Sequence, residues 1–273
     1  MEQLAADAAD PAQTREACQG ATVVYHCAQP PYQRWAAEFP ALTQSIADAA
    51  AGAGARLVYA DNLYAYGPAH GPITEDLPWR ATTKKGRVRA RMAERLLAAH
   101  RAGTLQVAIG RSSDYYGPGG ANSVVGDILF GAAATGTRAR WLGRLDVPHS
   151  LNYLPDVARA LATLGVRPEA LGEVWHLPAA EPLTGRAFVE LIAAALGRPV
   201  KVTATSRLAL RLAGVFDLRA RESAEMLYQW ERPFVLDASK FQRAFGPLEP
   251  TPHPQAVATT VAWFRERAGR TPR

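Results

Sequence analysis

The sequence of 273 residues contains no run of about 18 apolar residues, so no transmembrane helix is predicted. Its first residues, Met1 to Asp7, are acidic and lack the basic and then apolar segments of a secretory signal. The six histidines are scattered without the paired spacing of metal ligands, so no metal site is predicted. These absences favour a cytoplasmic protein that neither spans a membrane nor binds a metal.

Cysteine occurs at only two positions, Cys18 and Cys27. The two thiols are close enough in sequence to pair, but Cys27 ends an apolar strand pattern and is expected to be buried. We therefore favour reduced, inert thiols over a disulfide, as is usual in the cytoplasm.

Acidic residues are fewer than basic residues, and the formal net charge is +6. Part of the excess lies in the segment Lys84–Arg91, and a basic cluster of this kind can bind nucleic acid. No aromatic-rich or helix-turn-helix pattern accompanies it. The segment is therefore interpreted as a solvated helix face, and no nucleic-acid partner is predicted.

Short apolar runs alternate with helical periodicity along the first half of the chain. The runs predict strands, at 22–28, 57–60, 105–109 and 174–177. Helices are predicted at 39–51 and 87–102. This alternation is typical of an α/β protein, in which a parallel sheet carries helices on both faces.

The second half of the chain changes character. Residues 111–153 are rich in glycine and polar residues, as a substrate-binding insertion would be. Apolar residues at helical spacing follow at 188–196 and 257–264 and predict two further helices. We predict a sheet domain over 1–110, with a later strand near 145–178, and a smaller substrate-binding lobe over 111–273.

The segment Arg56–Pro68 carries the strongest functional signal. Its apolar residues Leu57 to Ala60 stop abruptly at the polar pair Asp61-Asn62, and an aromatic pair with a Gly-Pro turn follows. A buried parallel strand ends in this way when its carboxyl edge opens into a ligand crevice.

Four motifs in one order point to a family: Val23–Ala28, Leu57–Gly67, Val107–Pro118 and His149–Ala158. Together they resemble the fourth strand, fifth strand, sixth strand and a later strand-to-helix segment of the extended short-chain dehydrogenase/reductases, the NAD-dependent epimerase/dehydratase family. The resemblance covers about residues 5 to 265. It implies a Rossmann-like fold, bound NAD or NADP, and hydride chemistry on an alcohol or carbonyl.

The resemblance also assigns cofactor contacts. Asp7 matches the position whose carboxylate meets the adenine edge, and Ala28 and Gln29 match the turn under the phosphates and ribose. Arg111 and Ser112 begin the loop beside the nicotinamide. A purely structural role stays open for each of these residues; for example, Asp7 could be a helix N-cap and Arg111 could hold a surface carboxylate.

The family's glycine-rich phosphate cradle has no counterpart before residue 22. The sequence starts roughly at the family's third strand, so the first two strands are expected to be missing. Either the chain is truncated at its start or it is a shortened form. A shortened form is expected to bind NAD poorly, because no fixed N–H groups would hold the pyrophosphate.

The family's Ser/Thr and Tyr-x-x-x-Lys relay is also absent. The hydroxyl position is Asn62, and the Tyr and Lys positions are Gly86 and Ala90. Lys85, which keeps a four-residue spacing to Arg89, could act as an acid or base.

Other groups near the strand end could also take part in chemistry. Tyr66 could supply a phenol, and Asn62 could donate to a carbonyl oxygen. Asp61 is an acid at the strand edge, where it could contact substrate. The alternative is that these side chains only pack, face solvent or cap the loop.

The predicted substrate contacts also depart from the family pattern. Asp114 stands where nucleotide-sugar members have Asn, and a carboxylate facing a diphosphate costs about 1–4 kcal/mol at ~4 Å. His149 stands where they tend to have a phosphate-binding Arg. Tyr115 would suit a smaller, partly aromatic pocket, so a nucleotide-sugar substrate is not expected.

Two functions remain open. The first is a divergent NAD(P)-dependent oxidoreductase or epimerase that acts on a small alcohol or carbonyl. The second is a non-catalytic binding or regulatory protein that has lost the relay. Since helices 39–51 and 87–102 match those at the family's dimer interface, the resemblance also implies a homodimer.

Overall fold

The computed structural model describes residues 3–215 and 218–270. Residues 1–2, 216–217 and 271–273, which belong to the predicted domains, lie outside the described residues. The helices are α1 (Pro11–Ala17), α2 (Trp35–Gly52), α3 (Lys84–Arg101), α4 (Ala132–Thr135), α5 (Leu154–Val166), α6 (Gly185–Leu196), α7 (Arg207–Ala213), α8 (Leu218–Ala224), α9 (Tyr228–Glu231), α10 (Ser239–Phe245) and α11 (His253–Arg270). The strands are β1 (Val23–His26), β2 (Arg56–Asn62), β3 (Gln106–Ser112), β4 (Asp114–Tyr116), β5 (Ala139–Leu142), β6 (Pro148–His149), β7 (Leu151–Tyr153), β8 (Val174–His176), β9 (Leu183–Thr184) and β10 (Val202–Thr205).

The chain divides into two compact units. The first comprises Met1–Gly67, Glu75–Arg111 and Ala160–His176, and the second comprises Pro68–Thr74, Ser112–Arg159 and Leu177–Arg273. No helix in the described part of the chain is both long and apolar enough to cross a membrane.

The first unit is built on a four-stranded sheet of order β1-β2-β3-β8. Strands β1 and β2 pair in parallel, as do β3 and β8. Successive residues of β2, Leu57, Val58 and Tyr59, are all buried, so both faces of this strand are covered. These features confirm the predicted α/β class and each of the four predicted strands.

Helices α2 and α3 pack on the sheet of the first unit. Apolar side chains at helical spacing, such as Phe39 and Ile46 of α2 and Val88 and Leu96 of α3, join a core that includes Leu57 of β2. Thr83 fixes the start of α3, because its hydroxyl accepts a hydrogen bond from the Gly86 N–H at 3.1 Å.

The second unit has an aromatic core and only two-stranded sheets. Strands β4 and β7 pair in parallel, β5 and β10 pair in parallel, and β6 and β9 pair antiparallel. Rings from distant segments meet in its core: Tyr116, Phe130, Trp141, Phe188, Trp230 and Phe264.

One expectation needs correction. Cys27 is exposed rather than buried, because it lies one residue beyond β1, where the chain has left the sheet; both cysteines are free thiols.

The glycine-rich stretch 111–153 contains secondary structure. It holds the short strands β4 to β7 and a π-helix at Gly126–Gly131.

Candidate functional site

A buried charge cluster lies at the carboxyl ends of β2 and β3 in the first unit. Arg111 Nε donates to Asp61 Oδ2 at 2.8 Å, and Arg89 Nη1 of α3 lies 3.4 Å from Asp61 Oδ1. Asp61 and Arg111 are both fully buried. Arg89 Nη1 also donates to the Tyr59 hydroxyl at 2.7 Å. Asp61, a predicted substrate contact, is thus held between two guanidinium groups.

The Arg111 guanidinium lies against two aromatic rings. Its central carbon is 4.1 Å from the centroid of Trp79 and 4.9 Å from that of Tyr66. With Nε fixed by Asp61, the plane of the group is locked. Among the described residues, none accepts a hydrogen bond from Nη1 or Nη2. Arg111 therefore keeps donors that could serve a ligand oxygen, which fits its predicted place beside a cofactor.

Tyr66 belongs to a chain of buried polar groups. Its hydroxyl lies 2.8 Å from His176 Nε2, and the His176 N–H donates to Glu75 Oε1 at 2.8 Å. The other Glu75 oxygen is 3.9 Å from His176 Nδ1. Burial raises the pKa of Tyr66, and the positive charge of Arg111 opposes that rise. The phenol is thus hydrogen-bonded to an imidazole, with a carboxylate 3.9 Å from the far ring nitrogen and a cation against the phenol ring.

The other two predicted catalytic residues have structural contacts. Asn62 Oδ1 accepts from the Tyr64 N–H at 3.1 Å and caps the 3-10 turn Leu63–Tyr66. Lys85 is buried, and its Nζ lies 4.3 Å from the centroid of the Tyr32 ring. Both side chains thus contribute to the fold, whatever they contribute to chemistry.

Gly86, predicted to stand at the family's tyrosine position, has no room for a side chain. A Cβ on Gly86 would lie 2.6 Å from the Tyr64 carbonyl oxygen and 2.8 Å from Ala81 Cβ. Helix α3 therefore packs against the turn at Tyr64 more closely than any side chain at this position allows. Ala90, predicted to stand at the lysine position, is buried as well.

This close approach makes a prediction. The Gly86→Ala variant is expected to lose about 1–3 kcal/mol of unfolding free energy in urea denaturation, because the backbone of the turn must shift. Gly52→Ala in α2 is the matched control, since its new Cβ would meet no atom within 4 Å. That variant should stay within about 0.5 kcal/mol of the parent. Equal stability of the two variants would contradict the close contact at Gly86.

The predicted cofactor contacts lie apart along the chain. Asp7 is exposed, and its Oδ1 accepts from the Ala9 N–H at 2.9 Å; the N-cap of α1 is Asp10 instead. Ala28 and Gln29 are exposed just beyond β1. Ser112 is buried, and no described residue hydrogen-bonds to its hydroxyl.

These residues fit a dinucleotide only in part. The unpartnered donors of Arg111 suit the oxygen-rich nicotinamide side of such a molecule. The pyrophosphate finds no cradle, because no glycine-rich loop joins a strand to a helix N-terminus among the described residues.

Asp114 and His149, which both depart from the family pattern at the predicted substrate site, are hydrogen-bonded to each other in the second unit. Asp114 Oδ2 lies 2.8 Å from His149 Nε2. The imidazole is stacked on Trp230, with ring centroids 3.9 Å apart and planes 13° apart. Tyr115 on β4 is half-buried beside Asp114 in sequence. The carboxylate predicted to repel a diphosphate therefore already has a partner.

Several site residues were missed from the sequence. Glu75 and His176 complete the first-unit cluster, and Tyr228 and Trp230 lie at the second-unit pair. Their partners are far away in sequence, so no local pattern marks them. In the described part of the chain no group of three or more His, Cys, Asp or Glu side chains could hold a metal ion.

Solved structures with this fold are known. A dTDP-glucose 4,6-dehydratase from Streptomyces venezuelae, with NAD and DAU bound, is 22% identical with a TM-score of 0.77 over 96% of this chain and 79% of that one. RMD from Pseudomonas aeruginosa, complexed with NADPH, is 16% identical with a TM-score of 0.77 over 97% and 88%. A UDP-glucuronic acid 4-epimerase from Bacillus cereus, in complex with NAD, is 15% identical with a TM-score of 0.76 over 94% and 79%. At these identities the likeness establishes the Rossmann fold.

A search of curated proteins finds no match. A family model, described as the NAD dependent epimerase/dehydratase family, matches residues 2–177 and confirms the resemblance seen in the strand motifs. Because this match takes in every strand of the four-stranded sheet and more than half of the chain, the protein belongs to the NAD dependent epimerase/dehydratase family.

Proposed function

We propose that this protein is an NAD(P)-linked oxidoreductase of the epimerase/dehydratase type, acting on a small alcohol or carbonyl compound rather than a nucleotide-sugar. The Tyr66–His176 pair carries the proposal, because it supplies a phenol hydrogen-bonded to an imidazole that can take up or return a proton. NAD and NADPH in the solved structures of the same fold support the cofactor class. When bound, the cofactor supplies hydride transfer.

Residues of the first unit carry the proton transfer and stabilise the charges. Tyr66 Oη exchanges a proton with the substrate oxygen, and His176 Nε2, 2.8 Å away, restores or removes that proton. Glu75 accepts from the His176 backbone N–H, and its other oxygen, 3.9 Å from His176 Nδ1, balances a charge on the ring. Arg111 favours the ionised phenol by its charge. A cation beside a tyrosine is thus assembled without the family's helix-borne lysine.

The Tyr66→Phe variant tests this proton path. It is expected to lower kcat for reduction of aldehydes or ketones by about 10²–10⁴-fold, because general acid catalysis is lost. Tyr25→Phe is the matched control, since this tyrosine is 43% exposed and outside the cluster, and it should keep parental turnover. Titration of NADH and NADPH, followed by fluorescence, measures cofactor binding for all three proteins.

Each result bears on the proposal. Parental affinity for NAD(P)H with lost turnover in Tyr66→Phe would support the assigned role. Parental turnover in Tyr66→Phe would remove Tyr66 from the mechanism. Failure of the parent chain to bind either nucleotide would overturn the enzyme assignment.

A specific observation favours a second candidate function. Gly86 closes the space of the usual tyrosine, and Asn62 uses its carbonyl oxygen to cap the adjoining turn. A protein that binds NAD(P) for regulation, without catalysis, needs neither group at the reacting atoms. Cofactor binding without turnover on the aldehyde and ketone panel would favour this candidate.

A further inference from the structure

The Asp114–His149 pair of the second unit is held unusually firmly. His149 Nε2 meets Asp114 Oδ2 at 2.8 Å, and His149 Nδ1 meets the Gln229 carbonyl oxygen at 3.2 Å. The ring lies between two aromatic side chains, 3.9 Å from Trp230 and 5.3 Å from Phe234 between centroids. Four contacts therefore fix the position and the plane of the imidazole.

The hydrogen bonds determine how many protons the pair holds. A carbonyl oxygen can only accept, so Nδ1 must carry a proton toward Gln229. A second proton must lie between Nε2 and Asp114 Oδ2, because two bare lone pairs would repel at 2.8 Å. With two protons, the carboxylate and imidazole together have no net charge. The pair therefore offers no free cation to a phosphate.

One oxygen of the pair remains available. No hydrogen bond from the described residues reaches Asp114 Oδ1, and the Asp114 side chain keeps 11% of its surface exposed. This oxygen can accept a hydrogen bond from a ligand. Its partner oxygen is fixed by His149, so its direction is fixed as well.

A buried donor lies in the same cluster: the Tyr228 ring is 6.5 Å from that of Phe234, which in turn lies 5.3 Å from the His149 ring. The Tyr228 hydroxyl is buried, and no group in the described part of the chain hydrogen-bonds to it. Burial, with the negative charges of Asp114 and Glu225, raises the pKa of Tyr228, so the phenol keeps its proton. An orphaned buried hydroxyl normally destabilises a fold, and a ligand acceptor would satisfy it.

We infer that Asp114 Oδ1 and the Tyr228 hydroxyl form a binding site for an uncharged hydroxyl-bearing compound, such as a polyol or hydroxyketone without a phosphate. A hydroxyl group matches the pair, since it can donate to Asp114 and accept from Tyr228. A phosphate ester would meet a carboxylate whose only cation is already used. The inference rests on the proposed function for the identity of the reaction, and it narrows the substrate class of that reaction.

Binding measured without cofactor separates this inference from the proposed function. Neutral polyols and hydroxyketones (glycerol, erythritol, hexoses, dihydroxyacetone) and the monophosphate of each are titrated into the full chain by saturation-transfer NMR. The parent should bind at least one neutral compound about tenfold more tightly than its phosphate ester. Tyr228→Phe should weaken that binding by about tenfold or more, since it removes the donor.

A stability readout distinguishes a ligand contact from a structural one. Tyr228→Phe removes an unsatisfied buried hydroxyl, so its Tm is expected to equal or exceed that of the parent while ligand affinity falls. Asp114→Asn is the second variant, and it should reduce the preference for neutral compounds. Tyr25→Phe serves as the control with unchanged binding.

Three outcomes would overturn the inference. These are binding of no neutral compound at millimolar concentration, equal or tighter binding of the phosphate esters, and a Tyr228→Phe variant that binds like the parent. Neutral binding in a chain that fails to bind NAD(P)H would leave this site standing and remove only the proposed reaction.

Discussion

Replacing Asp61 with asparagine is expected to lower the free energy of unfolding by about 3–5 kcal/mol. The change leaves Arg111, which is fully buried, without the carboxylate 2.8 Å from its Nε. An uncompensated charge in the interior is far more costly than the loss of one hydrogen bond. Urea denaturation of the parent and of Asp61→Asn, at one pH and one salt concentration, measures the difference.

The chain offers a matched control for this substitution. Asp146 pairs with Arg144 at 2.7 Å, but both side chains are 59% exposed. Asp146→Asn should therefore change the free energy of unfolding far less than Asp61→Asn does, because an exposed ion pair contributes little to stability. A loss at Asp61 no larger than the loss at Asp146 would contradict the view that the strand-end cluster depends on this carboxylate. A double variant, Asp61→Asn with Arg111→Met, should recover part of the loss, because Arg111 no longer leaves a buried charge without its carboxylate, while the charge of Arg89 remains.

Acid is expected to destabilise the first unit through His26. This imidazole is 1% exposed, with its Nε2 3.0 Å from the Thr43 hydroxyl. Burial, aided by the charge of Arg89, lowers the pKa of His26 from 6.5 to about 3. As the pH falls, the unfolded chain therefore binds a proton at His26 before the folded chain does. The stabilisation is complete above pH 6.5 and is lost as the pH falls toward 3.

The effect of that proton is large enough to measure. Between about pH 7.5 and about pH 4.5, the free energy of unfolding should fall by about 3 kcal/mol because of His26 alone. His26→Gln should remove most of this contribution, leaving among others that of His253, whose pKa burial also lowers. His70→Gln, at an exposed histidine, should keep the parental pH profile of unfolding. If acid lowered the free energy of unfolding of His26→Gln as much as that of the parent, His26 would not be the group responsible.

The strands and the main helices could be predicted from the sequence because their signals are local. Apolar runs such as Leu57–Ala60 and helical spacing such as Val88 to Leu97 depend only on neighbouring residues. The end of β2 at Asp61-Asn62 also follows from the same local pattern. The family assignment rests on these same segments.

The partners within the site could not be predicted in this way. Tyr66 and His176 are 110 residues apart, and Asp114 and His149 are 35 apart. Their contacts depend on which strands lie side by side, and a single sequence does not give that order. Asp114 and His149 were each recognised as departures from the family pattern. Their hydrogen bond could not be predicted without knowing how β4 and β6 are arranged.

The contact between Gly86 and the Tyr64 carbonyl has a consequence for the engineering of this protein. A Cβ at position 86 would lie 2.6 Å from that oxygen, so a tyrosine and a lysine introduced at positions 86 and 90 would not by themselves form a relay. The turn would first have to move away, and it also carries Tyr66. Backbone packing, and not only the identity of the two residues, therefore keeps such a relay from forming on α3.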